Sequence, residues 1–228
     1  MKKFYLFGKI ILFESILLSG WISVSWAAEP SKPFTVARVW YQGGGDWYND
    51  PSVIPNLLNY LEKATGMRVA TTEARVKLTD EKLFSYPILY LTGHGNIVFS
   101  ETEARNLRNY LIHGGFLYAD DDYGMDKYFR REIKKVFPEK KLIELPFSHD
   151  IYHIQFDFPK GLPKTHEHYP GPPHGYGIFY NGRMVVYYTF NTNISDGWAD
   201  PNVHHDPQPV RIQALKMGVN IVVWALFN

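Results

Sequence analysis

The chain has 228 residues, of which 45% are hydrophobic and 21% are charged, and its formal net charge at pH 7 is +1. This composition is typical of a globular protein, and the even charge balance excludes the extended basic surface on which nucleic-acid binding depends. The absence of cysteine excludes disulfides, thiolate metal sites and a cysteine nucleophile.

The N-terminus has the pattern of a signal peptide. Its uncharged part, Ser15–Ala28, ends in small residues and is shorter than the about 20 residues that span a bilayer. We therefore predict a cleaved signal at residues 1–28, a linker at residues 29–33, and a periplasmic or secreted protein with no stable transmembrane span after cleavage. Lys9 and Glu14 interrupt the apolar stretch and leave an uncleaved N-terminal membrane anchor open as the alternative.

The first half of the mature chain alternates predicted strands with a predicted helix. Phe34–Tyr41 is rich in β-branched and aromatic residues and predicts a strand. A glycine-rich loop follows, and then a helix that begins at Asp50 and ends at Gly66. Further strands are predicted at Arg68–Thr72 and, from an unbroken apolar run, at Pro87–Thr92.

A capping box predicts the start of the next helix. The Ser100 hydroxyl can accept from the amide of Glu103, whose carboxylate reaches back to the amide of Ser100. This helix ends at Gly114, before a strand at Phe116–Ala119. The remaining predicted elements are a helix at Asp126–Phe137, a strand at Leu142–Leu145, an extended segment at His149–Phe158, a hairpin turning at Asn181-Gly182 and a final helix from Asp206.

Titratable residues follow two of the predicted strands. His94 comes after one strand, and Asp120, Asp121 and Asp122 come after the next. Parallel sheets place their chemistry at the carboxyl ends of their strands. Adjacent carboxylates need a cation, hydrogen-bond donors or open water to stay ionised. We predict Asp122, Asp121 and His94 as catalytic residues; the alternative is a solvated turn in which one aspartate caps the next helix.

His149 and His153 are further candidate metal ligands. They lie four residues apart in a segment predicted to be extended, where alternate residues share a face. Together with Asp121 and Asp122 they form the predicted ligand set of a divalent metal such as zinc, manganese or iron. Their spacing matches no compact ligand motif, so hydrogen-bonded structural roles stay open. The other histidines of the later half lie in loops, where solvation is the simpler account: His166, His168, His174, His204 and His205.

The glycine-rich loop and its aromatic neighbours predict a second kind of site. Trp47 and Trp198 lie in polar loops, and with Gly44 and Asp46 they form a predicted ligand-binding platform for a sugar or a peptide. The loop lacks the third glycine of a dinucleotide fingerprint and the lysine of a phosphate loop, so nucleotide binding is not expected.

Several segments, taken together, carry a family resemblance. They are Gly44–Pro51, Leu91–Gly95, Gly114–Leu117 with Asp120-Asp121, His149–His153 and Gly218–Ile221. The chain from Phe34 onward resembles the bacterial domain of unknown function 4159. This resemblance implies one domain at residues 34–228 with a class I glutamine amidotransferase-like fold. Such a fold is a flavodoxin-like three-layer α/β sandwich with a mostly parallel central sheet, here with an added β-hairpin.

The implied fold bears on one reaction. Amidotransferases of this class carry a cysteine nucleophile in a Gly-x-Cys-x-Gly elbow, and Asp122 stands at the similar place in this sequence. Glutaminase chemistry is therefore excluded, while a pocket at that place remains expected.

Three functions of different classes stay open at this point. The first is an exported, metal-assisted hydrolase. The second is a non-catalytic envelope module that binds a small molecule, a glycan, a peptide or a partner protein. The third is a scaffold in an envelope complex. Fold class alone does not decide whether the chain is an enzyme.

Overall fold

A seven-stranded, mostly parallel sheet lies at the centre of the fold, which is an α/β arrangement. The computed structural model describes residues 32–228; the predicted signal peptide at 1–28 and most of the linker at 29–33 lie outside the described residues. The strands are β1 Ala37–Trp40, β2 Ala74–Lys77, β3 Ile88–His94, β4 Phe116–Tyr123, β5 Ile143–Glu144, β6 His174–Tyr180 and β7 Arg183–Phe190. Their order across the sheet is β2-β1-β3-β4-β7-β6-β5. The first five in that order are parallel, whereas β6 and β5 are antiparallel to their neighbours.

Helices cover both faces of this sheet. They are α1 Val53–Thr65, α2 Glu101–Ile112, α3 Asp126–Val136, α4 Pro201–His204 and α5 Gln208–Phe227, with 3-10 turns at Glu81–Ser85, Asp150–Tyr152 and Asp196–Trp198. α1 and α5 pack on one face, and α2 and α3 pack on the other. Among the described residues one helix, α5, is long and apolar enough to cross a membrane, and most of its residues 214–223 are buried in the core.

The strand order reverses on either side of β1, which lies between β2 and β3. Connections leave such a point in opposite directions, so a crevice opens outside the carboxyl ends of the strands, where ligands of open α/β sheets bind. The segments that follow β1, β3, β4 and β7 all emerge at this edge of the sheet. The aromatic rings of Tyr90, Tyr118 and Trp198 pack together beneath it, with centroids 5.8 to 6.0 Å apart.

Many of the predicted elements are confirmed. The Ser100–Glu103 capping box has both of its hydrogen bonds, and Gly66 ends α1 in the left-handed conformation with φ 73°. The hairpin turns at Asn181 and Gly182, both with positive φ, as a type I′ turn requires. β7 is also a parallel partner of β4, so this hairpin is an integral part of the sheet.

Several predicted boundaries or elements are wrong. The strand after α1 is Ala74–Lys77 instead of Arg68–Thr72, because Val76 of the later segment enters the core, whereas Val69 makes one isolated bridge. The predicted strand Phe116–Ala119 continues to Tyr123, so the three aspartates lie within it. Neither Asp50 nor Asp206 caps a helix; the N-cap residues are Ser52 and Pro207.

The segment His149–Phe158 is not extended. It begins with the 3-10 turn Asp150–Tyr152, and the amide of Phe158 donates to the carbonyl of Tyr152. The side chain of the buried Asn220 in α5 holds the segment by bonding both backbone groups of Phe156. A tertiary contact from a distant helix therefore decides the local conformation.

Candidate functional site

Aspartates and histidines from five parts of the chain meet at the carboxyl edge of the sheet. We call them the Asp–His cluster. Its members are Asp46 and Asp50 after β1, His94 at the end of β3, Asp122 in β4, His166 and His168 between β5 and β6, and Asp196, His204 and Asp206 after β7. The cluster lies where the strand order predicts a ligand site.

Asp196 is at the centre of this cluster, with a side chain that is only 4% exposed. Its Oδ2 atom lies 2.8 Å from His166 Nδ1 and accepts a hydrogen bond of 3.2 Å from Asn193 Nδ2. Its Oδ1 atom lies 3.9 Å from His204 Nε2, which is in turn 2.8 Å from Asp50 Oδ2. Each oxygen of Asp196 therefore faces a different histidine.

Two sets of side chains in the described part of the chain have the geometry of metal ligands. One is His166, His168 and Asp196, and the other is Asp50, Asp196 and His204. Within each set, one ligand atom per residue lies within 4.8 Å of the others. Imidazole nitrogens and carboxylate oxygens are ligands that zinc, manganese and iron accept.

His166 is held between two carboxylates. Its Nδ1 atom faces Asp196, and its Nε2 atom lies 2.6 Å from Asp206 Oδ1. Hydrogen bonding to Asp196, together with the charge of Asp206, raises the pKa of His166 to about 9. A carboxylate on the second ring nitrogen is the usual partner of a metal-ligating histidine, because it fixes the orientation of the ring.

His94 forms a second carboxylate–imidazole–carboxylate chain. Asp46 accepts from the His94 amide at 2.5 Å and contacts Nδ1 at 2.9 Å, while Nε2 lies 3.3 Å from Asp122 Oδ2. Burial on its own would lower the pKa of His94, but the charges of Asp122 and Asp46 outweigh burial and raise it. His94 is thus oriented by one carboxylate and can exchange a proton at the nitrogen that faces the other.

Asp122 is a buried carboxyl that accepts from two amide side chains. Asn49 Nδ2 lies 2.5 Å from its Oδ2 atom, and Asn193 Nδ2 lies 3.0 Å from its Oδ1 atom. Burial, followed by the negative charge of Asp196, raises its pKa to about 8. A cation in the cluster would oppose this effect and favour the ionised carboxylate.

The loop after β1 is fixed by a buried arginine. The Arg38 guanidinium donates to the backbone carbonyls of Trp47, Asn49 and Asp50 at 3.0 to 3.3 Å and pairs with Glu73 at 2.8 Å. Asp50 is held at φ 44°, a conformation that non-glycine residues adopt at an energetic cost. The buried guanidinium compensates for this cost and presents Asp50 to His204.

Asp120 fixes the loop after β7 in a comparable way. Its Oδ2 atom accepts from the amide and the hydroxyl of Ser195 at 2.8 and 2.7 Å, and its Oδ1 atom lies 2.5 Å from Thr189 Oγ1. Burial raises the pKa of Asp120 to about 7. Because Ser195 precedes Asp196, these bonds set the position of the central carboxylate.

The glycine-rich loop is shaped by close packing. A Cβ atom on Gly45 would lie 2.7 to 2.8 Å from the Tyr41 hydroxyl and from the carbonyls of Asn96 and His94. Glycine at this position therefore lets the loop after β1 approach the loop after β3, which brings Asp46 to His94. Gly44, another predicted ligand-binding residue, is exposed with φ 93°.

The three predicted catalytic residues separate into two places. His94 and Asp122 lie together in the cluster. Asp121 points to the opposite face of β4, where its Oδ1 atom accepts from the amide of Met125 at the start of α3. Burial raises its pKa to about 6. Asp121 thus holds the backbone at the start of α3, and the triplet is buried within β4 instead of forming the solvated turn of the alternative.

His149 and His153, the predicted metal ligands, belong to neither ligand set within residues 32–228. His149 Nδ1 accepts from the amide of Ile151, and its ring packs on Trp224. His153 contacts the Asp157 carboxylate at 2.5 Å and the carbonyl of Phe147 at 2.8 Å. Because their segment forms a turn instead of the predicted extended conformation, the two imidazoles make local contacts there.

The two predicted platform tryptophans also differ. Trp47 is partly exposed and stacks on Trp40 with ring centroids 5.2 Å apart. Trp198 is 1% exposed, and its Nε1 atom donates to the carbonyl of Ala214 in α5. The expectation that Trp198 lies on the surface is wrong, because the loop after β7 turns inward and places the indole in the core.

Several members of the cluster carry no local motif. Asp196 follows Asn191-Thr192-Asn193-Ile194-Ser195, a largely polar run directly after the apolar strand β7. This run is the same signal, polar residues at a strand end, that identified His94 and Asp122. No local sequence pattern identifies Asp50 and His204 as site residues, because each contacts a partner that lies far away in sequence.

Comparison with known protein families identifies a match. A family model described as "Domain of unknown function (DUF4159)" matches residues 35–226. No curated protein matches the chain.

Proposed function

We propose that this chain, which belongs to the domain of unknown function 4159 family, binds a divalent transition metal at the Asp–His cluster and uses it for hydrolysis. The observation that carries the proposal is the position of Asp196 within two sets of His and Asp ligand atoms. Such a metal lowers the pKa of bound water and supplies hydroxide as a nucleophile near neutral pH.

The ligand types favour a transition metal over calcium or magnesium. Each set mixes imidazole with carboxylate, whereas the two alkaline-earth ions prefer all-oxygen sites. His166, a member of one set, has a carboxylate on its second ring nitrogen, at Asp206. This pattern of outer-shell support is common around zinc and similar ions.

His94 is the proposed general acid–base residue. Asp46 orients its ring, and its Nε2 atom faces Asp122 across 3.3 Å. A proton taken from or given to a reacting group at Nε2 is therefore exchanged beside a second carboxyl that can share it. Asn49 and Asn193 hold Asp122 in place for this exchange.

Metal analysis tests the proposal. Mature protein is stripped with a chelator and titrated with Zn²⁺ and Mn²⁺ by calorimetry; we expect at least one equivalent bound, and loss of tight binding in Asp196→Asn. The matched control is Asp157→Asn, which removes another histidine-paired carboxylate, one that is exposed and outside the cluster. Failure of the unsubstituted protein to bind either ion stoichiometrically would contradict the proposal.

Hydrolysis is tested separately with chromogenic carboxylic and phosphoric esters. The metal-loaded protein is expected to turn over at least one ester class, and His94→Gln is expected to slow turnover by about 10² to 10⁴-fold with metal still bound. Binding without turnover of any ester would leave a metal site and exclude this catalytic assignment.

A second candidate is a non-catalytic ligand-binding role in the cell envelope. Exposed Trp40 and Tyr48 flank Trp47, and Lys77 Nζ lies 4.1 Å from the centroid of the Trp40 ring. Such an aromatic strip suits stacking of a sugar ring or a peptide side chain. Quenching of tryptophan fluorescence by oligosaccharides or peptides, abolished in Trp47→Ala, would favour this role; unchanged fluorescence in all titrations would exclude it.

The proposal includes a fold family and a location. Counting β7 as the fifth parallel strand, the order 2-1-3-4-5 is that of flavodoxin-like sheets, which supports an amidotransferase-like sandwich. The apolar N-terminal stretch supports export to the periplasm or the medium, with membrane anchoring as the alternative. N-terminal sequencing of the protein from cell fractions distinguishes the two locations.

A further inference from the structure

We infer that the Asp–His cluster is a dinuclear centre, in which the Asp196 carboxylate bridges two metal ions. One ion is held by His166, His168 and Asp196, and the other by Asp50, His204 and Asp196. This inference rests on the proposed metal-binding function and specifies how many ions the site takes.

The two oxygens of Asp196 face different histidines, one from each ligand set. Oδ2 lies 2.8 Å from His166 Nδ1, whereas Oδ1 is the atom nearest to His204 Nε2, at 3.9 Å. A carboxylate in this orientation can donate one oxygen to each of two ions. A chelating carboxylate on one ion would instead direct both oxygens to the same partners.

The two sets share no ligand other than Asp196. The rings of His166 and His204 approach each other at a centroid distance of 5.2 Å, with an interplanar angle of 66°. Paired catalytic ions stand about 3.5 to 4 Å apart. Imidazoles that belong to different sets but lie this close are compatible with two adjacent ions, each with its own histidine.

The negative charge of the cluster also supports two bound ions. Asp50, Asp196 and Asp206 have partly or fully buried carboxylates, and the imidazoles of His166 and His204 contact them. The Asp206 side chain is 7% exposed, and its Oδ2 atom has no hydrogen-bond partner within the described residues. Buried carboxylates without full compensation are costly, and a dication in each ligand set would reduce that cost.

The ligand sets are fixed by different parts of the scaffold. Asp50 is held by the guanidinium of Arg38, whereas His166 is held by Asp206 and by its backbone amide, which donates to the carbonyl of Thr192. Loss of one ion therefore need not displace the ligands of the other. Variants in one set are expected to leave the second ion bound.

Stoichiometry tests the inference on the folded mature protein. Chelator-treated protein is titrated with Mn²⁺ by calorimetry, and the saturated sample is examined by electron paramagnetic resonance. We expect two equivalents and the signature of an exchange-coupled pair. His168→Gln and His204→Gln should each keep about one equivalent with an uncoupled signal, and Asp157→Asn should keep two coupled ions.

The alternative outcomes are distinct. One equivalent in the unsubstituted protein would overturn the dinuclear centre and leave the proposed metal site intact. Two uncoupled ions would overturn the bridging role of Asp196, and no bound ion would overturn both proposals. Far-ultraviolet circular dichroism and thermal melts confirm that each variant is folded, and the result on the unsubstituted protein decides the inference even if a variant is not.

Discussion

The substitution Asp120→Asn makes a sharp prediction about how folding stability depends on pH. Asp120 is fully buried, and burial raises its pKa from an ordinary value of 3.8 to about 7. Between these pH values the unfolded chain loses the Asp120 proton while the folded chain keeps it. The contribution of Asp120 to the free energy of unfolding is therefore fully present below about pH 4 and is lost as the pH rises to about 7.

The size of the effect follows from the same two values. A tenfold difference in proton affinity between the folded and unfolded states corresponds to about 1.4 kcal/mol. A difference of roughly three powers of ten therefore limits the contribution of Asp120 to the free energy of unfolding to about 4 kcal/mol. Asparagine keeps an oxygen that can accept from Ser195 and does not ionise. Relative to the unsubstituted protein, Asp120→Asn is expected to gain stability steadily between pH 4 and pH 7.

Urea unfolding at half-unit steps from pH 4 to pH 8 measures this gain. Chelator is present throughout, so that bound metal makes no contribution. The difference between the two proteins removes the effect of groups that titrate alike in both. A difference that stays constant across the range, or that runs in the opposite direction, would refute the assignment of a neutral, buried Asp120.

Two further substitutions, the first with a matched control, test how the scaffold supports the site. Arg38→Met leaves Glu73 without its buried partner and frees the loop after β1, so we expect a loss of about 3 to 5 kcal/mol in urea unfolding and roughly 10 to 100-fold weaker metal binding. Arg75→Met, which removes the half-exposed second partner of Glu73, should cost at most about 1 kcal/mol, and equal losses in both variants would contradict the role given to Arg38. Asn220→Ala unpairs the backbone of Phe156 and is expected to cost about 3 kcal/mol in the same assay, with unchanged metal stoichiometry; a loss of bound metal would show that this segment supports the site.

Sequence reasoning succeeded where the signal is local. The capping box at Ser100, the hairpin at Asn181 and the apolar strand that ends near His94 each depend on neighbouring residues, and each was found at its place. Placing His94 and Asp122 together needed only the rule that parallel strands end at one edge. These two residues, with Asp46, which the sequence predicts as a ligand-binding residue, are the part of the candidate site that is accessible from sequence.

The rest of the cluster depends on contacts between distant residues. Asp50 meets His204 across 154 positions of sequence, and His166 meets Asp206 across 40. No local pattern records such pairs. His149 and His153 are candidates because their segment is predicted to be extended, whereas a hydrogen-bonded side chain in α5 holds that segment in a turn. The polar neighbours of Trp198 in sequence predict an exposed side chain, although its loop enters the core.

The two pairings of β7 have a consequence for the order of folding. Its antiparallel partner β6 is joined to it by a two-residue turn, whereas its parallel partner β4 ends some way back along the chain. Hairpins form within about 1 to 10 μs, while pairing across long stretches of chain is slow. The hairpin is therefore expected to exist before it docks on β4, and docking is the step that brings Asp196 to Asp122. The Asp–His cluster then becomes complete only as the central sheet closes, so metal binding is expected to report the final stage of folding.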